Sequence, residues 1–166
     1  MSKPYSFSYS FSLSPPKAEL HEYQYNEFMI SLAPDWKQIP AAEADMLNFH
    51  SAELGAGITI SADFYEIPVD KAQALAEKSI SARIDAFEQL SPGRVHVLQR
   101  TIKPHSGGIG LELSLAVEVP DEHVTIYLGY VTSRKILNFT LVCKPNTQSA
   151  INLFNKIVPN FRPRLP

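Results

Sequence analysis

Five histidines, at positions 21, 50, 96, 105 and 123, are the side chains of this chain best suited to acid–base or metal chemistry. None stands at His-x-x-x-His or His-Glu-x-x-His spacing, which would bring ligands to one helix face around a zinc ion. No cysteine pair accompanies them, so no metal site is expected. The single cysteine, Cys143, closes the apolar run Ile136–Cys143. There a free thiol behaves as a small buried hydrophobe, whereas a nucleophilic or redox thiol needs an accessible, electropositive setting. One cysteine also excludes an internal disulfide framework. His105-Ser106-Gly107-Gly108 has the composition of an oxyanion-hole loop, but no Gly-x-Ser-x-Gly elbow supplies its nucleophile. Gly107–Gly110 lacks the Gly-Lys-Ser/Thr that would make it a phosphate loop. Asp121-Glu122 falls in a turn, where two neighbouring carboxylates are simply solvated. The expectation is therefore a protein that is not an enzyme, with no catalytic residue and no cofactor. An enzyme whose site has no motif is the alternative.

The elements carrying these residues are mostly strands. Phe28, Ile30 and Leu32 alternate, and Pro34-Asp35-Trp36 turns the chain. Strands are expected over 45–51 and 56–65, with Ile58, Ile60, Ala62 and Phe64 on one face. The period then lengthens: Ala72, Leu75, Ala76, Ser79, Ile80, Ile84 and Phe87 form one helical stripe, with Asp70 as the expected cap and Ser91-Pro92-Gly93 as the stop. Four strands follow, Arg94–Ile102, Ile109–Val119, Val124–Val131 and Ile136–Cys143, spaced as an antiparallel meander. A second helix starts at Pro145-Asn146-Thr147 and buries Ile151, Phe154, Ile157 and Val158. This order predicts an α+β fold, a single antiparallel sheet of about six to seven strands with two helices packed on one face. Residues 1–25 read as an N-terminal extension in which Tyr5, Phe7, Tyr9, Phe11 and Leu13 alternate with serines, and residues 26–166 as one domain.

The last two strands are apolar on both faces, and helices on one side would cover only one of them. The other face must meet the N-terminal segment, a second copy of the chain, or a partner. Tyr127, Val131, Leu137, Phe139 and Leu141 are the candidate partner-binding residues on this ground.

Charge adds a modest asymmetry. Six basic and no acidic residues follow Glu122, against nine basic and seventeen acidic up to that point. The net charge of -2 gives no pull toward nucleic acid or an anionic membrane. Neither a leader nor a spanning segment is read in the chain, so a cytoplasmic location is expected.

Phe28–Trp36, the long helix Asp70–Phe87, the strand around Leu111-Glu112-Leu113 and the closing helix Ile151–Val158 occur in an order similar to that of the PsbP-like superfamily. That superfamily includes the Ran-binding Mog protein, the DcrB lipoproteins and the Eag-type chaperones of bacterial type VI secretion. The resemblance spans roughly residues 26–160 and implies an antiparallel sheet flanked by helices, in proteins that mostly bind other proteins. Of its branches the Eag-like one fits best, since the chain shows no leader and no lipidation cysteine near its start. The resemblance thus implies a bacterial, cytoplasmic adaptor or chaperone whose partner is another protein, such as a secretion effector, and which forms a homodimer in many members. An immunity protein that blocks a toxin through its loops and basic C-terminal third is the alternative.

Overall fold

Alternation of apolar with hydroxylated or charged side chains shapes most of the fold. The computed structural model describes residues 19–41, 46–107 and 110–165. In chain order these form β1 (His21–Gln24), β2 (Phe28–Leu32), β3 (Lys37–Ile39), β4 (Met46–Ser51), β5 (Ala56–Phe64), α1 (Ala72–Leu90), β6 (His96–Pro104), β7 (Leu111–Val119), β8 (His123–Val131), β9 (Lys135–Cys143), α2 (Thr147–Ile157) and β10 (Phe161–Pro163). Among the described residues, seven strands make one sheet in the order β3-β4-β5-β9-β8-β7-β6, and three make a second, β1-β2-β10. All strand pairs are antiparallel. The α+β class and the seven-stranded antiparallel sheet agree with the sequence pattern. The second sheet was not expected. The alternating stretch Tyr5–Leu13 lies outside the described residues.

The helices do not share a face of the large sheet, contrary to the sequence expectation. α1 places Ala72, Ala76 and Ile80 against Leu113, Leu115, Val117 and Val119 of β7, Tyr127 and Val131 of β8, and Ile136 of β9. On the other side α2, through Ala150 and Ile157, joins Phe28, Ile30 and Leu32 of β2 and Phe161 of β10. These cover Phe49 of β4, Ile58 and Ile60 of β5, Val124, Ile126 and Leu128 of β8, and Leu137, Phe139 and Leu141 of β9. Two cores therefore lie on opposite faces and are offset along the sheet. They overlap at β8, which is apolar on both faces because each face has its own cover, and reach β9 on the α1 side only at Ile136. Where only one cover is present, the strand alternates. β5 sets Ile58 and Ile60 against Thr59 and Ser61, and β7 sets Leu113 and Leu115 against Glu112 and Ser114.

Local chemistry fixes several joints. α1 grows out of a 3₁₀ turn at Val69–Lys71, so Lys71 takes the N-cap position and makes no side-chain bond there. Asp70, the expected cap, sits one residue too early. α2 starts at the expected triplet and is capped by Asn146, whose side chain accepts the Ser149 N–H at 2.9 Å. Its inward face is Ala150, Leu153, Phe154 and Ile157, while Ile151, expected inside, is 38% exposed because it lies about 100° around the helix from Ala150. At the β7–β8 turn Asp121 adopts φ 67°, a left-handed geometry that Asp tolerates better than most residues. The buried Lys135 ammonium donates to Glu27 and to the Arg164 carbonyl (2.6 Å), and so ties the β2 and β10 ends of the small sheet to β9. β1, which falls within the expected N-terminal extension, pairs along β2 from His21↔Leu32 to Gln24↔Met29.

Candidate functional site

The five candidate binding residues do not form one surface. Tyr127 and Val131 lie in the α1 core, and Leu137, Phe139 and Leu141 lie in the α2 core, all at 1% exposure or less. Successive strand positions point to opposite faces, and these five side chains are each covered from within the chain. Nor do the histidines converge. His105 Nδ1 accepts the Gly107 N–H at 2.9 Å in its own turn, His123 Nδ1 lies 3.2 Å from Thr125 Oγ1, and His96 lies 3.8 Å from Glu118. Gly108 of the glycine turn is outside the described residues. Burial pushes the Cys143 thiol up to about 11, so it is protonated near neutrality. Glu122 of the Asp121-Glu122 pair is held by Arg94, which also reaches the Pro120 carbonyl.

Polar side chains inside a folded sheet are more informative than its apolar ones. β9 carries two of them, Asn138 and Thr140, between Ile136 and Val142 on the face toward α1. Antiparallel partners share a face, so the register places Ile39, Asn48, Thr59, Thr140, Tyr127 and Leu115 in one row across β3, β4, β5, β9, β8 and β7. The next row holds Met46, Ser61, Asn138 and Gly129. α1 rests on β6, β7 and β8, and the β3–β4–β5–β9 half of this face keeps its exposure: Ile39, Asn48, Thr59, Ser61 and Thr140 all retain solvent contact. Thr59 donates to Asn48 Oδ1 at 2.9 Å, so part of this open half is already ordered.

Its border with α1 is built around Tyr127. The tyrosine folds along its own strand over Gly129, where any Cβ would come 2.2 Å from the Tyr127 hydroxyl. That hydroxyl donates to Asn138 Oδ1 at 2.6 Å, and the Asn138 amide donates to Ser61 Oγ at 3.2 Å and Asp63 Oδ2 at 3.4 Å. Burial raises the Tyr127 hydroxyl pKa, against the opposing effect of the Arg83 charge. It is therefore a neutral donor at ordinary pH. Arg83, from α1, lies over the Tyr127 ring at 3.8 Å from its centroid. A pocket of about 130 Å³ opens beside it, lined by Arg83, Ala86, Phe87, Leu115, Thr125, Tyr127 and Thr140. This is below the roughly 300–1,000 Å³ of a site that encloses a drug-sized ligand. It suits a single side chain.

Sequence reading passed over Arg83, Thr59, Thr140, Asn138 and Gly129. The signal available was the pair Asn138 and Thr140 in an otherwise apolar strand, and a glycine in the middle of another. Of the basic C-terminal third, Lys135 is buried against Glu27, while Arg134, Lys144, Lys156, Arg162 and Arg164 are exposed on a turn, a loop, a helix and the last strand region. Among the described residues no group of three or more His, Cys, Asp or Glu side chains is placed to hold a metal ion. No helix among them is long and apolar enough to cross a membrane.

No protein-family model matches the chain, and no curated protein matches it in sequence. Among solved structures, a crystal structure from Bacteroides thetaiotaomicron aligns at a TM-score of 0.43 and 10% identity, over 83% of this chain and 45% of that one. The solution structure of cyanobacterial PsbP (CyanoP) from Synechocystis aligns over 91% of this chain and 96% of its own, at a TM-score of 0.63 and 15% identity. The fold is PsbP-like.

Proposed function

We propose that the protein is a non-enzymatic binding module, a bacterial, cytoplasmic adaptor or chaperone that holds a segment of another protein against the open half of its large sheet. The observation that carries this reading is the row Ile39, Asn48, Thr59 and Thr140, four adjacent strands whose shared face keeps solvent exposure beside a helix. Its hydroxyls and amides can hydrogen-bond a partner, and Ile39 and Val142, 43% and 41% exposed, supply apolar contact at two points of the same face. The occupant is therefore a segment of mixed character, since the apolar surfaces of β8 are taken by α1 and α2 and that of β9 by α2. The resemblance to Eag-type chaperones supplies the narrower form of the reading, in which that segment belongs to a secretion effector.

The test is affinity capture from the native cell with the full chain, quantified by mass spectrometry. Thr59→Arg and Thr140→Arg alter the open half, and Ser114→Arg on the opposite face of β7 is the control. Recovery of the partner is expected to fall about tenfold, or about 1.4 kcal/mol, in the first two and to hold in the third. Equal recovery by wild type and all three variants defeats the reading.

A further inference from the structure

Among the described residues no carboxylate lies within ion-pair distance of Arg83, and the acid that bears on its Tyr127 support, Asp63, is hydrogen-bonded to Asn138. The ion pairs there are made by Arg94, His96, Arg100, Lys103 and Lys135. The Arg83 Nε is buried without a hydrogen-bond partner. That atom is shut off from solvent, so an arriving anion is taken by the terminal N–H groups of the guanidinium in a charge-assisted pair. The guanidinium is also held in place. It stacks on the Tyr127 ring, and Tyr127 is fixed by its bond to Asn138 and by the absence of a side chain at Gly129. A planar group held in this way presents its fork of N–H donors in a set plane, which matches a carboxylate and not a point charge. The adjoining pocket is walled by Phe87, Leu115 and the Tyr127 ring, with the Thr125 and Thr140 hydroxyls as further polar groups and no acidic residue in its lining.

We propose that this groove is a carboxylate anchor: Arg83 takes an acidic group of the partner segment, and the apolar residue beside that group fills the pocket. This deepens the reading above and rests on it for the identity of the occupant. The partner is thus an acidic, partly apolar protein segment, laid from the open half-sheet onto the flank of α1.

The probe is phenylacetate, with phenylacetamide as its neutral counterpart, titrated into the full chain and followed by NMR. Phenylacetate is expected to give saturable shifts at the Arg83 side chain and at the amides of Thr125, Tyr127 and Thr140. Phenylacetamide is expected to bind about tenfold more weakly, as removal of one charge-assisted bond predicts. Arg83→Gln should abolish the preference for the acid, and Arg83→Lys, which keeps the charge but not the fork, should restore only part of it. Circular dichroism checks that both variants are folded. In the capture experiment Arg83→Gln should lower partner recovery to the same degree as Thr59→Arg. Shifts that are absent, or equal for acid and amide, overturn the anchor even where capture depends on Thr59. Acid-selective binding with capture indifferent to Thr59 and Thr140 overturns the partner reading and leaves the carboxylate site standing.

Discussion

The hydroxyl of Tyr127 stands where a side chain at position 129 would have to be. Gly129→Ala is therefore expected to displace the ring, strain its bond to Asn138 and destabilise the fold by about 1–3 kcal/mol, the usual range for forcing extra volume into a packed core. A lower urea midpoint at unchanged slope would report this; a wild-type midpoint would mean the ring moves aside freely. Alkaline pH acts on two buried groups at opposite ends of the central hairpin. Burial pushes the Cys143 thiol up to about 11, and burial together with the Glu112 charge pushes the Tyr130 hydroxyl up to about 12. Both shifts favour the protonated form in the folded state. Their contribution is thus fully present below the ordinary values of 9.0 and 10.0 and is lost as pH rises through the raised ones. Unfolding free energy measured in urea should be flat near neutrality and decline between about pH 9 and 12, with Cys143→Ala removing the lower part of the decline. At this scale the sequence pointed to Tyr127 for the wrong reason. Its apolar ring suggested a contact surface, whereas its neighbours, a glycine at i+2 and an asparagine on the next strand, make it a support for Arg83. That pairing depends on the β8–β9 register, and the periodicity of α1 marks only which helix positions are apolar.

Between elements, the firmest polar joint is Lys135 with Glu27 and the Arg164 carbonyl. The lysine side chain is 6% exposed, so removing its charge leaves Glu27 without its partner in a partly buried site. Lys135→Met is expected to destabilise by about 3 kcal/mol, near the lower end for breaking a buried pair because Glu27 retains some contact with water. Thermal unfolding would register it, and pairing the change with Glu27→Leu should recover part of the loss. Failure of the double variant to recover anything would show that the methionine does not fit the site. The long elements were legible. β5, β7, β8 and β9 each lie within about two residues of their sequence boundaries and α1 within about three, because long strand-forming runs between turn signals and a long helical stripe leave little ambiguity. β1, β3 and β10 are four, three and three residues long, and no period can be read over so short a span. They exist through their partners.

At the scale of the molecule, the sequence announced the amount of apolar surface but not its arrangement. The two-faced strand β8 was legible as such, whereas the second face of β9 holds Asn138 and Thr140 and is partly open. Alternation, however, says nothing about which face of β5 is continuous with which face of β7, and so nothing about where a second cover must go. The structure resolves this by offsetting two partial covers on opposite sides, and the surface left open is the polar half-sheet instead of an apolar one. A partner held there as proposed is recognised by hydrogen bonds and charge as much as by burial, and its capture is expected to weaken with salt where Arg83 takes part. The overlap of the two covers also sets how the molecule comes apart. β3 and β6 sit at the rims of the sheet with exposed side chains, whereas Ile126–Leu128 and Leu137–Phe139 are enclosed from above and below. Deuterium should therefore reach the rim amides through small local openings, and the central hairpin only when the whole domain unfolds. The slowest-exchanging protons would then mark the seam between the two cores.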